Sequence, residues 1–201
     1  MIKYYIDSNL QQYDETYLQQ CFSWFPPEET AFIETIHHLQ GRIERTSAYA
    51  LLAQALKEFG IEELPALRHT ETGKPYLEGH PEIEISISHC RKSAAVALST
   101  QGPVGIDIEY RRNISPALIK RVCNSEEQQA IATDPDPTLA FLRLWTLKEA
   151  YAKYIGTGLT DDLQNFLPNA KRADLLLESH PLPDGWISLC YQPTEEPSSI
   201  N

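Results

Sequence analysis

The stretch Leu144–Gly158, LWTLKEAYAKYIGTG, constrains the fold more than any other part of the chain. Leu142, Trp145, Ala152 and Ile155 recur at the spacing of one helix face, which predicts a packed amphipathic helix. Gly156 and Gly158 follow, and glycine just past a helix C-terminus ends it. Glu149 and Lys153 stand four apart, so their side chains project about one turn from each other. Alone, that pair is a surface ion pair worth about a few tenths of a kcal/mol. Upstream, Val104-Gly105-Ile106-Asp107-Ile108-Glu109 alternates apolar and acidic in strand register. Asp107 and Glu109 would share one face, roughly 6–7 Å apart, with Ile106 and Ile108 on the other. A third carboxylate from the helix, Glu149, would complete an all-oxygen site for a hard divalent cation.

The rest of the chain supplies a scaffold and a set of cations. Residues 2–6 read as an opening strand, and Asp14–Cys21 as a helix. Phe25-Pro26-Pro27-Glu28-Glu29 is a turn entering a helix with proline in its first turn, ending by Gly41. A further helix runs from about Arg42 to Phe59 and stops at Gly60. Arg42 and Arg45 on its first turn oppose the helix dipole, a local cost that a nearby anion would offset. Thr72-Gly73-Lys74-Pro75-Tyr76-Leu77 is a tight turn that presents a lysine, without the frame of a Walker loop. Residues 83–90, 94–99 and 104–110 are strand-like runs on short connections, which suggests an antiparallel meander. His89 ends the first of them. A lone histidine there is usually structural, but beside Arg91 and Lys92, with Lys74 near in sequence, it is a candidate for holding phosphate. Ser115-Pro116 caps a short helix to Val122, and Ser125 with Gln128 matches a capping box for the next. Residues 173–178 and 186–191 read as closing strands, and the last residues as a disordered tail.

Composition narrows the function classes. With 201 residues, 42% hydrophobic and 22% charged, the chain has the profile of a soluble globular protein of one large domain or two small ones. No apolar run approaches the ~20 residues of a membrane span, and MIKYYIDSN lacks a signal-peptide pattern. Cys21, Cys90, Cys123 and Cys190 are scattered, which fits free thiols in a reducing cytoplasm better than zinc or disulfides. No feature lowers the Cys90 thiol pKa, so covalent catalysis there is not expected. A net charge of −11 argues against a general nucleic-acid binder, though a local cationic pocket can still hold an anionic ligand.

GIDIE at 105–109 together with WTLKEAYAK at 145–153 resembles the paired signature of the 4′-phosphopantetheinyl transferases, in the larger, surfactin-type branch. TGKPYL at 72–77 and ISISH at 85–89 match that family's weaker upstream signatures in the same order. The resemblance implies transfer of the phosphopantetheine arm of coenzyme A to a serine of an acyl or peptidyl carrier protein, with release of adenosine 3′,5′-bisphosphate. It implies Asp107, Glu109 and Glu149 as ligands of Mg²⁺, with Mn²⁺ as a substitute, and Lys153 beside the pyrophosphate. The serine proton would go to Glu149, or to a metal-bound water oriented by Glu109. Lys74, Ser88 and His89 would hold the nucleotide end of coenzyme A, with His89 and one of Arg42 and Arg45 on the 3′-phosphate. Lys148 is either structural or a phosphate contact.

The fold implied is α+β, two similar halves with antiparallel sheets related by a pseudo-twofold, and the active site in the cleft between them. The halves are residues 1–102 and 103–192, followed by the tail at 193–201. One departure stands out: Glu28–His38 carries no lysine or arginine where family members often have basic residues. Arg111, Arg112, Lys120 and Arg121, with Leu118 and Val122, form a candidate carrier-docking face. A monomer is the default, with no nucleic-acid or membrane partner. The alternatives are another carboxylate-metal phosphohydrolase or nuclease, and a non-catalytic binding module with solvated acidic residues.

Overall fold

The computed structural model describes residues 1–158 and 162–193; the tail expected at 193–201 lies, from residue 194 on, outside them. The first half runs β1 (Ile2–Asp7), α1 (Glu15–Phe22), α2 (Pro27–Glu34), α3 (Leu39–Lys57), β2 (Leu67–His69), β3 (Pro75–Leu77), β4 (Glu84–His89) and β5 (Ala94–Ser99). The second runs β6 (Val104–Tyr110), α4 (Pro116–Val122), α5 (Ser125–Thr133), α6 (Pro137–Ile155), α7 (Phe166–Arg172), β7 (Leu176–Leu182) and β8 (Gly185–Tyr191). The architecture is α+β, as expected. Each half carries one 19-residue helix and one three-stranded antiparallel sheet, ordered β1-β5-β4 and β6-β8-β7.

The expected meander of three consecutive strands is half right. β4 and β5 form a hairpin, but β6 pairs with β8 instead of continuing the first sheet. The free edge of β5 is taken by β1, from Ile2 opposite Ser99 to Asp7 opposite Ala94. β6 instead runs beside β4, where serine hydroxyls replace carbonyls: Ile106 N donates to Ser86 Oγ (3.0 Å) and Ile108 N to Ser88 Oγ (3.3 Å). Two edge strands thus cover each other without merging into one sheet.

The helices pack as their sequence patterns dictate. Tyr49, Leu52 and Leu56 of α3 share a core with Ile85, Val96 and Leu98. Phe141, Leu142 and Ala152 of α6 are buried with Cys190 and Val122. Ile155, expected on the same face, is 39% exposed because the helix ends there, at Gly156 with φ +73°. Ile106 and Ile108 turn into a third cluster with Ala95, Ala97, Ile187 and Leu189, which glues the two sheets. Alternation along β6 therefore leaves Asp107 and Glu109 facing α6.

Local signals were read with small shifts. Asn124, not Ser125, caps α5: its side chain accepts from Glu127 N while Glu127 reaches back to Asn124 N. Gln128 bonds the Cys123 carbonyl instead. α2 ends at Glu34, ahead of Gly41 as expected, while α3 begins at Leu39, earlier than Arg42, so Gly41 lies inside it. Arg111 is exposed but already engaged: its guanidinium bonds Asp184 in the β7–β8 turn and Asp136, the cap of α6. Val122 is fully buried. The candidate docking face therefore loses Val122, and Arg111 serves as a clamp.

Candidate active site

Gly105 sets the geometry of the acidic strand. A Cβ at this position would lie 1.8 Å from the Ala150 carbonyl oxygen and 2.7 Å from Tyr154 N. α6 thus crosses β6 in backbone contact, which a residue with a side chain would prevent. Gly105 meets the helix between Ala150 and Tyr154, a crossing that sets Lys153 on Asp107 and brings Glu149 within the charge field of Asp107 and Glu109.

Asp107 is 5% exposed. Its Oδ1 accepts from Ser88 Oγ (2.7 Å) and from Lys153 Nζ (2.8 Å). Lys153 Nζ also donates to the Ile106 carbonyl (3.0 Å). Oδ2 is buried with no hydrogen-bond partner, a costly state for a carboxylate oxygen. Burial, then the charge of Asp107, pushes the Glu109 carboxyl up to about 7. The same two causes, in the same order, push Glu149 up to about 7. The opposing cations are Lys153 and Arg112; Arg112 Nε lies 3.7 Å from Glu109 and its guanidinium 5.8 Å over the Trp145 ring. The three carboxylates therefore act on one another and lack matching positive charge. No group of three acidic, histidine or cysteine side chains among the described residues is arranged to hold an ion as it stands. The donor chemistry nevertheless suits a hard divalent cation, and the unpartnered Asp107 Oδ2 is an oxygen such an ion would satisfy.

A cavity of about 330 Å³ adjoins this row where the first half meets the C-terminal end of α6. Arg45, Lys74, His89 and Lys153 line it, with Ser86, Thr72, Gly73, Tyr49 and Gly156. Lys153 belongs to both the cavity and the acidic row. The turn between β2 and β3 presents Lys74, whose Nζ bonds Glu84 Oε2 (2.7 Å). Arg45 lies over the rings of Phe32 (5.1 Å) and Tyr49 (5.3 Å), which hold its charge at the wall. Phe32 thus gives the stretch without lysine or arginine an indirect part in the cavity.

The remaining predicted residues fall in different places. Arg42 turns from the cavity to Glu15 (3.1 Å). Ser88 is buried, its hydroxyl engaged with Asp107 and the Ile108 amide, whereas Ser86 lines the cavity. Lys148 is fully buried and structural, bonded to Glu127 (2.7 Å) and the carbonyls of Val122 (2.8 Å) and Leu163 (3.0 Å). Sequence reasoning missed Glu84, Glu44 and Ser86. The alternating serines of ISISH were a signal for Ser86, since polar residues on the inner face of a strand need partners; nothing local flagged the glutamates.

A buried and two half-buried carboxylates short of positive charge, a lysine bridging to them and a cationic cavity alongside define a site suited to phosphoryl transfer. Comparison with known proteins gives the family. The model of the 4′-phosphopantetheinyl transferase superfamily matches residues 103–188. The chain is 29% identical over 167 residues to the 4′-phosphopantetheinyl transferase Sfp of Bacillus subtilis strain 168, covering 81% of this chain and 72% of that one. It is 31% identical over 163 residues to a 4′-phosphopantetheinyl transferase of Bacillus subtilis, covering 80% and 67%. It is 31% identical over 130 residues to the L-aminoadipate-semialdehyde dehydrogenase-phosphopantetheinyl transferase of Saccharomyces cerevisiae, covering 56% and 48%. The chain belongs to the 4′-phosphopantetheinyl transferase superfamily and is an enzyme of that class.

Proposed function

We propose that this enzyme moves the 4′-phosphopantetheine arm of coenzyme A onto a serine hydroxyl of an apo carrier protein of the acyl or peptidyl type. The observation that carries the reading is the backbone contact at Gly105, which brings Glu149 and Lys153 of α6 to Asp107 and Glu109 beside a cationic cavity. In the reaction the serine oxygen attacks the phosphorus that bears pantetheine. The bond from that phosphorus to the bridging oxygen breaks, and adenosine 3′,5′-bisphosphate leaves. Glu149 takes the serine proton as general base. Lys153 Nζ steadies charge on the leaving phosphate. Arg45, Lys74 and His89 hold the nucleotide end of the donor.

Asp107, Glu109 and Glu149 would hold Mg²⁺, or Mn²⁺ in its place. Such an ion supplies charge neutralisation across a diphosphate. Ser88 donates to Asp107 Oδ1, so its part is to position that carboxylate rather than to touch the nucleotide. We further assign residues 1–102 to nucleotide contacts and residues 103–192 to the carboxylates. We also propose a cytoplasmic monomer: the four cysteines are free thiols, which suits a reducing compartment, and residues of both halves of one chain line the cavity.

The test is intact-mass analysis of apo carrier proteins incubated with coenzyme A, Mg²⁺ and the enzyme. One added phosphopantetheine on serine is expected, and comparison across carriers ranks them. Hydrolysis of coenzyme A without carrier modification would favour the phosphohydrolase alternative.

A further inference from the structure

His89 lines the cavity, but one of its two ring nitrogens is already committed. Nδ1 lies 3.3 Å from Glu44 Oε2 on α3. Glu44 does not line the cavity. Its other oxygen, Oε1, accepts from Gln40 Nε2 (3.1 Å), and the same amide nitrogen donates to the Arg91 carbonyl (3.1 Å). Gln40 and Glu44 stand one helical turn apart, so two side chains of α3 are spent on His89 and the turn that follows it. Those hydrogen bonds, with Arg91 nearby, keep Glu44 below the usual carboxylate range and ionised.

From this arrangement we propose that Glu44 is a positioning residue for His89: it fixes the ring from behind, so that Nε2 is the nitrogen presented to an anionic group of the donor nucleotide. An anion at Nε2 needs a hydrogen there, and Glu44 already takes the one on Nδ1. The ring that serves both is the imidazolium, held between a carboxylate and the incoming anion. A neutral residue at 44 leaves the ring free to rotate or to present Nε2 as an acceptor, which repels the anion. Other cavity cations are tied to their own carboxylate or rings, as Lys74 to Glu84 and Arg45 to Phe32 and Tyr49, so they do not substitute for this pair.

The inference rests on the transferase reading, and the experiment separates the two. Coenzyme A and dephospho-coenzyme A differ by one phosphate monoester. Each is titrated calorimetrically into the intact protein, and each is assayed as donor, for wild type, Glu44→Ala, Glu44→Gln and His89→Ala. Wild type is expected to prefer coenzyme A, and Glu44→Ala to weaken its binding by roughly tenfold, the weight of one charge-assisted hydrogen bond. Binding of dephospho-coenzyme A and kcat should stay within about twofold of wild type, as for any contact confined to one phosphate. Glu44→Gln, which keeps the shape, should lose the same preference without loss of thermal stability. The double variant Glu44→Ala/His89→Ala should be no worse than His89→Ala alone, the mark of two residues acting as one unit. If wild type transfers from neither donor, the transferase reading falls and the assignment with it. If wild type transfers and His89→Ala loses the preference while both Glu44 variants keep it, only the assignment is overturned. Equal weakening toward both donors would also overturn it, since that is the signature of a general loss of packing.

Discussion

The acidic row and the cationic cavity share Lys153 yet are built on opposite terms. In the cavity, Lys74 has Glu84, His89 has Glu44, and Arg45 rests on two rings. In the row, three carboxylates face only Lys153 and Arg112, and burial with mutual repulsion pushes Glu109 and Glu149 up to about 7. One region has its cations partnered before any ligand arrives. The other stores repulsion that only added positive charge can relieve. That contrast is the expected mark of catalytic machinery against a binding surface: strain at the reacting centre, order around it.

The largest effect should come from the contact that joins the two regions. Gly105→Val must push α6 off β6, since even a Cβ meets the Ala150 carbonyl at 1.8 Å. Overpacking of this kind costs about 3 kcal/mol or more; thermal melts should show a large fall in Tm, and transfer should vanish. A variant that stays folded and active would break the account of how the row is assembled.

Next is Glu149→Gln. It removes the proposed proton acceptor and one charge of the row, so kcat should fall by about 10²-fold or more. The melting temperature of the metal-free protein should hold or rise, because a buried like charge is gone. Loss of activity with loss of stability would instead make Glu149 a structural residue.

The pH dependence follows from the same charges. Glu109 and Glu149 have folded values of about 7 against an ordinary 4.5. Between those values the folded chain binds more protons than the unfolded one, so the free energy of unfolding falls as pH rises. Their contribution is fully present below about pH 4.5 and lost as pH passes through about 7. Melting curves from pH 5 to 8 in chelator should show that decline, and Glu149→Gln should flatten it.

The smallest effect is expected in the cavity. Lys74→Ala should raise KM for coenzyme A about tenfold, the weight of a charge-assisted contact, with kcat nearly unchanged. A fall in kcat instead would blur the division between row and cavity.

The acidic row was legible because its signals are periodic and local. Alternation put Asp107 and Glu109 on one face of β6, and the four-residue step put Glu149 beside Lys153 on α6. Gly105 stood in the motif, but its reason, a backbone crossing, appears only once helix and strand are docked. Cavity residues were legible as single cations and not as pairs. Glu44 and His89 lie 45 positions apart, and their meeting depends on how α3 lies across β4, which no local pattern encodes. Arg42 and Arg45 looked equivalent at three-residue spacing, yet helix rotation sends one to Glu15 and the other to the cavity wall. The meander failed for a related reason: β1, far away in sequence, takes the edge of β5 that β6 would have used, and short connections alone do not exclude β1.

The proposed reaction depends on Asp107, Glu109 and Glu149 sharing one divalent ion when the donor is bound. Anomalous scattering from crystals grown with Mn²⁺ and coenzyme A tests it most directly. One peak in contact with all three side chains is the predicted result; a donor-bound map with the peak elsewhere, or with no peak, would contradict it.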